Sequence, residues 1–324
     1  MFRTTRTATA TAAVTAATTA SLLCAVTGVA LTGSHHTPTA SASRQQSRLD
    51  SLEPVAAATV ARHARDGDLF AGTGKIRVGD RSVNVSCSGR PAPHRPVVVL
   101  MAGLGDGLDN LSGIQTTLSA TGRVCSYDRL GEGQSDAPVG PQTMDSTGKV
   151  LTAVLDRVAG HRPVVLVGHS LGGLIAARYA PEHPDRVKGL VLLDATPSTM
   201  AADLTRIVPP SATGPGADAR DGYLAVSQGQ NPEMLSFTDA RVRSAGAIPV
   251  QVIRHGVPYL AQSVPTYGPA LERAWAEGER AWLALSTHSR LSVATKSDHY
   301  IYVAQPDLVD QAVQRVTSQA PGRP

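Results

Sequence analysis

The chain has 324 residues, 42% of them hydrophobic and 17% charged. This balance provides for a large buried core and excludes a disordered charged tail or a collagen-like repeat. The formal net charge is +4 and aromatics make up 4%, so there is no basic groove with interleaved aromatic residues to bind nucleic acid.

Residues 1–42 read as a secretory signal peptide. Arg3 and Arg6 open it, an acid-free Ala/Thr/Val/Leu stretch fills residues 8–31, and Ala40-Ser41-Ala42 offers small residues for cleavage. The expected localisation is secreted, with membrane anchoring through an uncleaved leader as the alternative. Beyond the leader two cysteines are left, Cys87 and Cys125, and an even number in an exported protein favours pairing. No His/Cys cluster has metal-ligand spacing, so neither a metal nor a cofactor is expected.

Residues 43–73 form a polar, Arg-rich N-terminal extension with a short helix expected over 55–64. The pattern then becomes regular. Strands are expected over 75–78, 82–87, 96–101, 123–127, 163–167, 189–193, 249–253 and 289–294. From the third onward they are nearly uniform apolar runs, such as Val97-Val98-Val99-Leu100 and Val164-Val165-Leu166-Val167, as parallel strands covered on both faces require. Helical spacing fills the gaps, notably over 149–158 and from Pro306 onward. Trp275 and Trp282, seven apart, read as packing anchors on one helix face. The alternation gives a doubly wound α/β sheet. Between the sixth and seventh strands, residues 196–248 break the rhythm with Pro209-Pro210 and Gly214-Pro215-Gly216, an inserted lid.

The strongest chemical signal is Val164-Val165-Leu166-Val167-Gly168-His169-Ser170-Leu171-Gly172-Gly173-Leu174, a buried strand passing through Gly-x-Ser-x-Gly into a helix. Small residues at 168 and 172 permit the sharp turn that lifts Ser170 above the sheet. A serine hydroxyl is a weak nucleophile at neutral pH and needs a base, which in turn needs an orienting acid.

With this motif the chain resembles the α/β-hydrolase superfamily, and within it secreted bacterial serine hydrolases of esterase or lipase type. The resemblance is carried by Gly103-Leu104-Gly105, by Tyr127-Asp128-Arg129-Leu130-Gly131-Glu132-Gly133-Gln134-Ser135, by Gly168 to Gly173, by Asp194 and by Asp298-His299. It implies an α/β-hydrolase fold over residues 74–320: an eight-stranded, mostly parallel sheet in the order 1-2-4-3-5-6-7-8, with helices on both faces, the second strand antiparallel, and a small lid insertion over 196–248. It also implies that Ser170 is the nucleophile and that His299, after the last strand, is the base. His255 is the rival base.

The family places its acid after the seventh strand or, less often, after the sixth. Residues 240–271 hold no Asp or Glu, which turns the assignment to Asp194, with Glu272 the alternative; Asp298 is too close to His299 to reach its far nitrogen. The backbone amides of Leu104 and Leu171 would receive the oxyanion. Ala102-Gly103 replaces the His-Gly common in relatives, so the rigidity of that loop must come from elsewhere, while Asp128 and Arg129 are expected to hold the following turn together. In the implied strand order Cys87 and Cys125 lie on neighbouring antiparallel strands, close enough for a disulfide. The expected partner is a small-molecule acyl substrate, with no nucleic acid; peptidase or amidase activity, and a non-catalytic binding protein on the same fold, are the other readings.

Overall fold

A computed structural model describes residues 69–320. The signal peptide expected over 1–42, the helix expected over 55–64 and most of the expected N-terminal extension lie outside the described residues. Among those described, the strands are β1 (Gly72–Val78), β2 (Arg81–Ser88), β3 (Val97–Met101), β4 (Val124–Tyr127), β5 (Val164–His169), β6 (Val187–Leu193), β7 (Pro249–His255) and β8 (His288–Ala294). They form one sheet in the order β1-β2-β4-β3-β5-β6-β7-β8. β2 is antiparallel to both neighbours, and every other adjacent pair is parallel. Every expected strand overlaps an observed one. The first begins earlier than expected, at Gly72, inside the segment read as extension.

The uniform apolar runs follow from burial on both faces. Val97, Val99, Leu166, Leu190 and Leu192 enter one core, whereas Val98, Leu100, Val165, Val167 and Val191 enter the other, the alternation a period of two dictates. The helices are α1 (Ser112–Ser119), α2 (Met144–Ala159), α3 (Ser170–Tyr179), α4 (Met200–Ile207), α5 (Pro215–Ser227), α6 (Tyr259–Ser263), α7 (Gly268–Ala281), α8 (Ile301–Ala304) and α9 (Pro306–Gln319). α2 buries Leu151, Val154, Leu155 and Val158 against the first core, and α9 buries Val309, Ala312, Val313 and Val316 against the second. Thr143 caps α2 by accepting the Ser146 N–H at 3.2 Å, and Ser146 Oγ accepts the Thr143 N–H at 2.8 Å.

The course between β6 and β7 is more ordered than its prolines and glycines suggest. It carries α4 and α5, and Met200, Leu204 and Ala219 join Leu260, Val264, Leu271 and Trp275 in a third apolar cluster. The two tryptophans do not share an α-helix, because α7 ends at Ala281 and Trp282 opens a 3-10 turn. Cys87 faces Cys125 in the β2–β4 register, with Cα atoms 4.1 Å apart and the two sulfurs at bonding distance.

Candidate active site

β5 passes into α3 with no intervening residue, and the junction is Ser170, whose φ is +50°. A non-glycine residue in this left-handed region is uncommon and strained. The neighbouring glycines make the turn feasible: a Cβ at Gly168 would lie 2.5 Å from the Gly172 carbonyl oxygen, and one at Gly172 would lie 2.5 Å from the Met101 and Ala102 oxygens. Ser170 Oγ lies 3.4 Å from Thr196 Oγ1. Among the described residues no hydrogen bond joins it to His299.

Asp194 directly follows β6, fully buried and also at positive φ, +45°. Its Oδ2 lies 2.7 Å from His299 Nδ1. Oδ1 accepts the His255 backbone N–H at 2.9 Å and the Trp275 indole N–H at 3.1 Å. Burial alone would raise the pKa of this carboxyl, but hydrogen bonds and charge from His255 and His299 outweigh it and hold the group well below the usual carboxylate range. His299 follows β8, with its side chain 12% exposed.

The other candidates occupy different places. His255 has both ring nitrogens engaged, Nδ1 with Asp194 at 2.8 Å and Nε2 with Glu272 at 2.7 Å. Glu272 therefore meets His255 and not His299. Asp298 is exposed and accepts the Tyr300 N–H at 3.3 Å. His169 is buried, and desolvation pushes its pKa well below the ordinary value, so the ring is neutral. Its Nε2 lies 3.0 Å from the His299 carbonyl oxygen, which can only accept, so Nε2 carries the proton and ties the serine turn to the His299 loop.

The loop after β3 contains Leu104. Among the described residues neither the Leu104 nor the Leu171 amide donates a hydrogen bond; Leu171 belongs to the first turn of α3, where backbone N–H groups lack helical partners. The loop's rigidity comes from Arg129, which donates from Nη1 to the Ala102 oxygen at 2.6 Å and from Nη2 to the Gly103 oxygen at 2.8 Å. Glu132 Oε1 accepts the Gly105 N–H at 3.0 Å, and burial pushes this carboxyl up to about 7. Asp128 accepts from the Leu108 amide at 2.6 Å and the Asn84 side chain at 2.9 Å, holding the turn as expected. Arg129 thus reaches beyond its own turn. Among the described residues no group of His, Cys, Asp and Glu side chains is placed to hold a metal ion.

Residues 96–220 match the family described as "alpha/beta hydrolase fold". The chain has the α/β-hydrolase fold. Among solved structures of this fold it is similar to the enol-lactonase from Burkholderia xenovorans LB400, with a TM-score of 0.53 and 19% identity, over 76% of this chain and 100% of that one. Lipase LipV of Mycobacterium tuberculosis is 37% identical over 122 residues, 38% of this chain and 40% of its own. The human (Lyso)-N-acylphosphatidylethanolamine lipase is 32% identical over 103 residues, 31% of this chain and 30% of its own. The matched stretch spans about two fifths, or less, of these curated relatives. The family match over residues 96–220 ends within α5, so it contains Leu104, Ser170, Leu171 and Asp194 but not His255, Glu272 or His299.

Three contributions escape sequence reasoning. Thr196 meets the serine hydroxyl, Trp275 donates to Asp194, and Glu233 lies 2.7 Å from Arg129. Only Thr196 leaves a local trace, a hydroxyl two residues past Asp194.

Proposed function

We propose that the protein is an exported serine hydrolase that cleaves a carboxylic ester or related acyl compound. Ser170 is the nucleophile, His299 the base and Asp194 the acid. The observation that carries this reading is the 2.7 Å contact between Asp194 Oδ2 and His299 Nδ1, beside a neighbouring strand, β5, that is followed directly by a serine held at positive φ. The contacts of Glu272, which go to His255, support Asp194 over Glu272 as the acid. His255 has no free ring nitrogen for the serine proton, which supports His299 as the base.

In this mechanism the Ser170 hydroxyl turns from Thr196 toward His299 Nε2, gives up its proton and attacks the carbonyl carbon. The Leu104 and Leu171 amides take the oxyanion; removing one such preorganised donor typically costs about 3 to 4 kcal/mol of transition-state stabilisation. Collapse of the tetrahedral species expels the alcohol, which takes the proton from His299, and water then attacks the acyl-enzyme by the same route. Asp194 holds the imidazole in the tautomer that leaves Nε2 free and stabilises the imidazolium once formed. The relatives named as lipases support an ester substrate. The segment with α4 and α5 is the lid, and the Arg-led leader over 1–42 supports export.

The test is covalent labelling with a fluorophosphonate probe, followed by a hydrolysis screen over p-nitrophenyl esters of graded chain length with matching anilides as amide controls. Labelling at Ser170 and turnover of esters are expected. An unlabelled protein that turns over no ester overturns the reading.

A further inference from the structure

Asp194 serves two histidines. His299 Nδ1 lies 2.7 Å from Oδ2, and His255 Nδ1 lies 2.8 Å from Oδ1 and 2.9 Å from Oδ2. On the far side of the second ring, His255 Nε2 lies 2.7 Å from Glu272 Oε2. A neutral imidazole has one N–H and one lone pair, so it would turn the lone pair toward one of these carboxylates; only the imidazolium donates to both. Glu272 is itself held, because its Oε1 accepts the Leu260 and Ala261 amides at 2.7 and 3.2 Å. Burial alone would lower the His255 pKa, but the two carboxylates outweigh it and push it up to about 9. The four side chains are linked in the order His299, Asp194, His255, Glu272, so the carboxylate that meets the base also meets a fixed cation.

We infer that His255, kept as an imidazolium by Glu272, is a positioning residue that fixes the Asp194 carboxylate and offsets part of its charge at His299, and so sets where the acid limb of the pH–rate profile falls. This deepens the triad reading and rests on it. An uncompensated Asp194 would favour the protonated form of the base and require a higher pH for activity; the cation opposes this.

The surrounding groups leave that role to His255. Arg254, on the same strand, donates to the His255 carbonyl oxygen at 3.1 Å, and Tyr259 of α6 stands with its ring 4.9 Å from that of His255 and its hydroxyl 3.4 Å from His299 Nδ1. Glu279 of α7 is fully buried, and desolvation raises its pKa well above the ordinary range, which favours the uncharged form. Facing His299 are neutral His169 with ring centres 4.5 Å apart, Trp275 at 5.7 Å, Tyr300 at 5.7 Å, and Asp106, whose pKa burial raises. Among the described residues, His255 and His299 are the titratable groups bonded to Asp194.

Two variants of the full chain test the inference, Glu272→Gln and His255→Gln, with kcat/KM for a p-nitrophenyl ester measured across pH. The Glu272→Gln side chain keeps an oxygen for the Leu260 and Ala261 amides, removes the charge and presents an N–H donor to His255 Nε2 in place of the carboxylate oxygen. The acid limb is expected to move up by about half a pH unit or more in each variant. A limb that stays in place while the rate falls at every pH means a purely structural role and overturns the inference, as does a shift to lower pH. A second readout is independent of turnover: 15N-histidine NMR of the Ser170→Ala protein at pH 8 should show both His255 nitrogens protonated, and one protonated nitrogen overturns the inference. Because that measurement needs no activity, it distinguishes a failed inference from a failed hydrolase assignment, which would show instead as absent labelling of Ser170.

Discussion

Arg129 and Glu233 lie 104 residues apart and meet as a doubly hydrogen-bonded ion pair, Nε to Oε2 at 2.8 Å and Nη2 to Oε1 at 2.7 Å. Both side chains are 3% exposed. The same guanidinium holds the carbonyls of Ala102 and Gly103, so one side chain joins the segment between β6 and β7 to the loop that presents the Leu104 amide. Burial alone would lower the pKa of this guanidinium; Glu233 outweighs it and raises the value instead.

Removing one partner of a buried pair strands the other charge and costs about 3 to 5 kcal/mol. Glu233→Ala is therefore expected to lower the melting temperature clearly. Arg129→Lys keeps the charge but loses the planar fork; it should lower kcat more than it changes KM, because the Leu104 amide matters most when the oxyanion forms. Thermal melts and ester kinetics check both. A Glu233→Ala protein that melts with the wild type would show that the pair contributes nothing.

Ser170→Ala should reduce ester turnover by about 10⁶-fold, the scale seen when a triad nucleophile is removed, with the circular dichroism spectrum unchanged. Asp194→Asn should cost about 10⁴-fold in kcat, since an amide favours the wrong imidazole tautomer. Glu272→Gln should cost far less, because its contact goes to His255 at 2.7 Å. The reverse order of these two carboxyl variants would move the acid to Glu272.

The strands and the serine turn were legible because their signals are local. Val164 to Val167 are apolar because both faces are covered, and Gly168 and Gly172 are small because a Cβ on either would strike backbone 2.5 Å away. The choice of Asp194 rested on the lack of any Asp or Glu across residues 240–271. Side-chain pairings across the fold leave no such trace. Arg129 looked like a turn residue because its partner is contributed by a distant segment, and Trp275 looked like a packing anchor because a buried indole N–H declares its acceptor only in three dimensions. His255 has the residue type of a base, and the carboxylates on both its nitrogens are visible only in the folded chain.

Stability should fall as pH rises, in two separable windows. Burial pushes Glu132 in the folded protein up to about 7 from an ordinary value of 4.5, so between those pH values the folded state binds more protons than the unfolded one. That contribution is complete below pH 4.5 and is lost as pH rises through 7. His255, raised from 6.5 to about 9 by its two carboxylates against the opposing effect of burial, acts with the same sign between pH 6.5 and 9. Melting temperatures measured across pH should decline through both windows. Glu132→Gln should flatten the lower window and His255→Gln the upper, and a slope unchanged by its own variant would count against that assignment.

Cys87 and Cys125 are directly opposed on antiparallel β2 and β4, buried at 5% and 1% exposure, with Cα atoms 4.1 Å apart. In a protein exported to an oxidising compartment such a pair should be oxidised. The bridge would close a loop of 38 positions, for which the chain-entropy estimate is about 4 kcal/mol, reduced by any residual structure in the unfolded chain. At about 2 to 4 °C per kcal/mol for a domain of this size, reduction should lower the melting temperature by about 10 °C, and Cys87→Ser with Cys125→Ser should match the reduced wild type. Mass spectrometry of the protein expressed with its N-terminal segment, alkylated in denaturant without reductant, is the direct check. A linked pair of peptides is expected, whereas alkyl groups on both Cys87 and Cys125 would show free thiols and weaken the case for export as well.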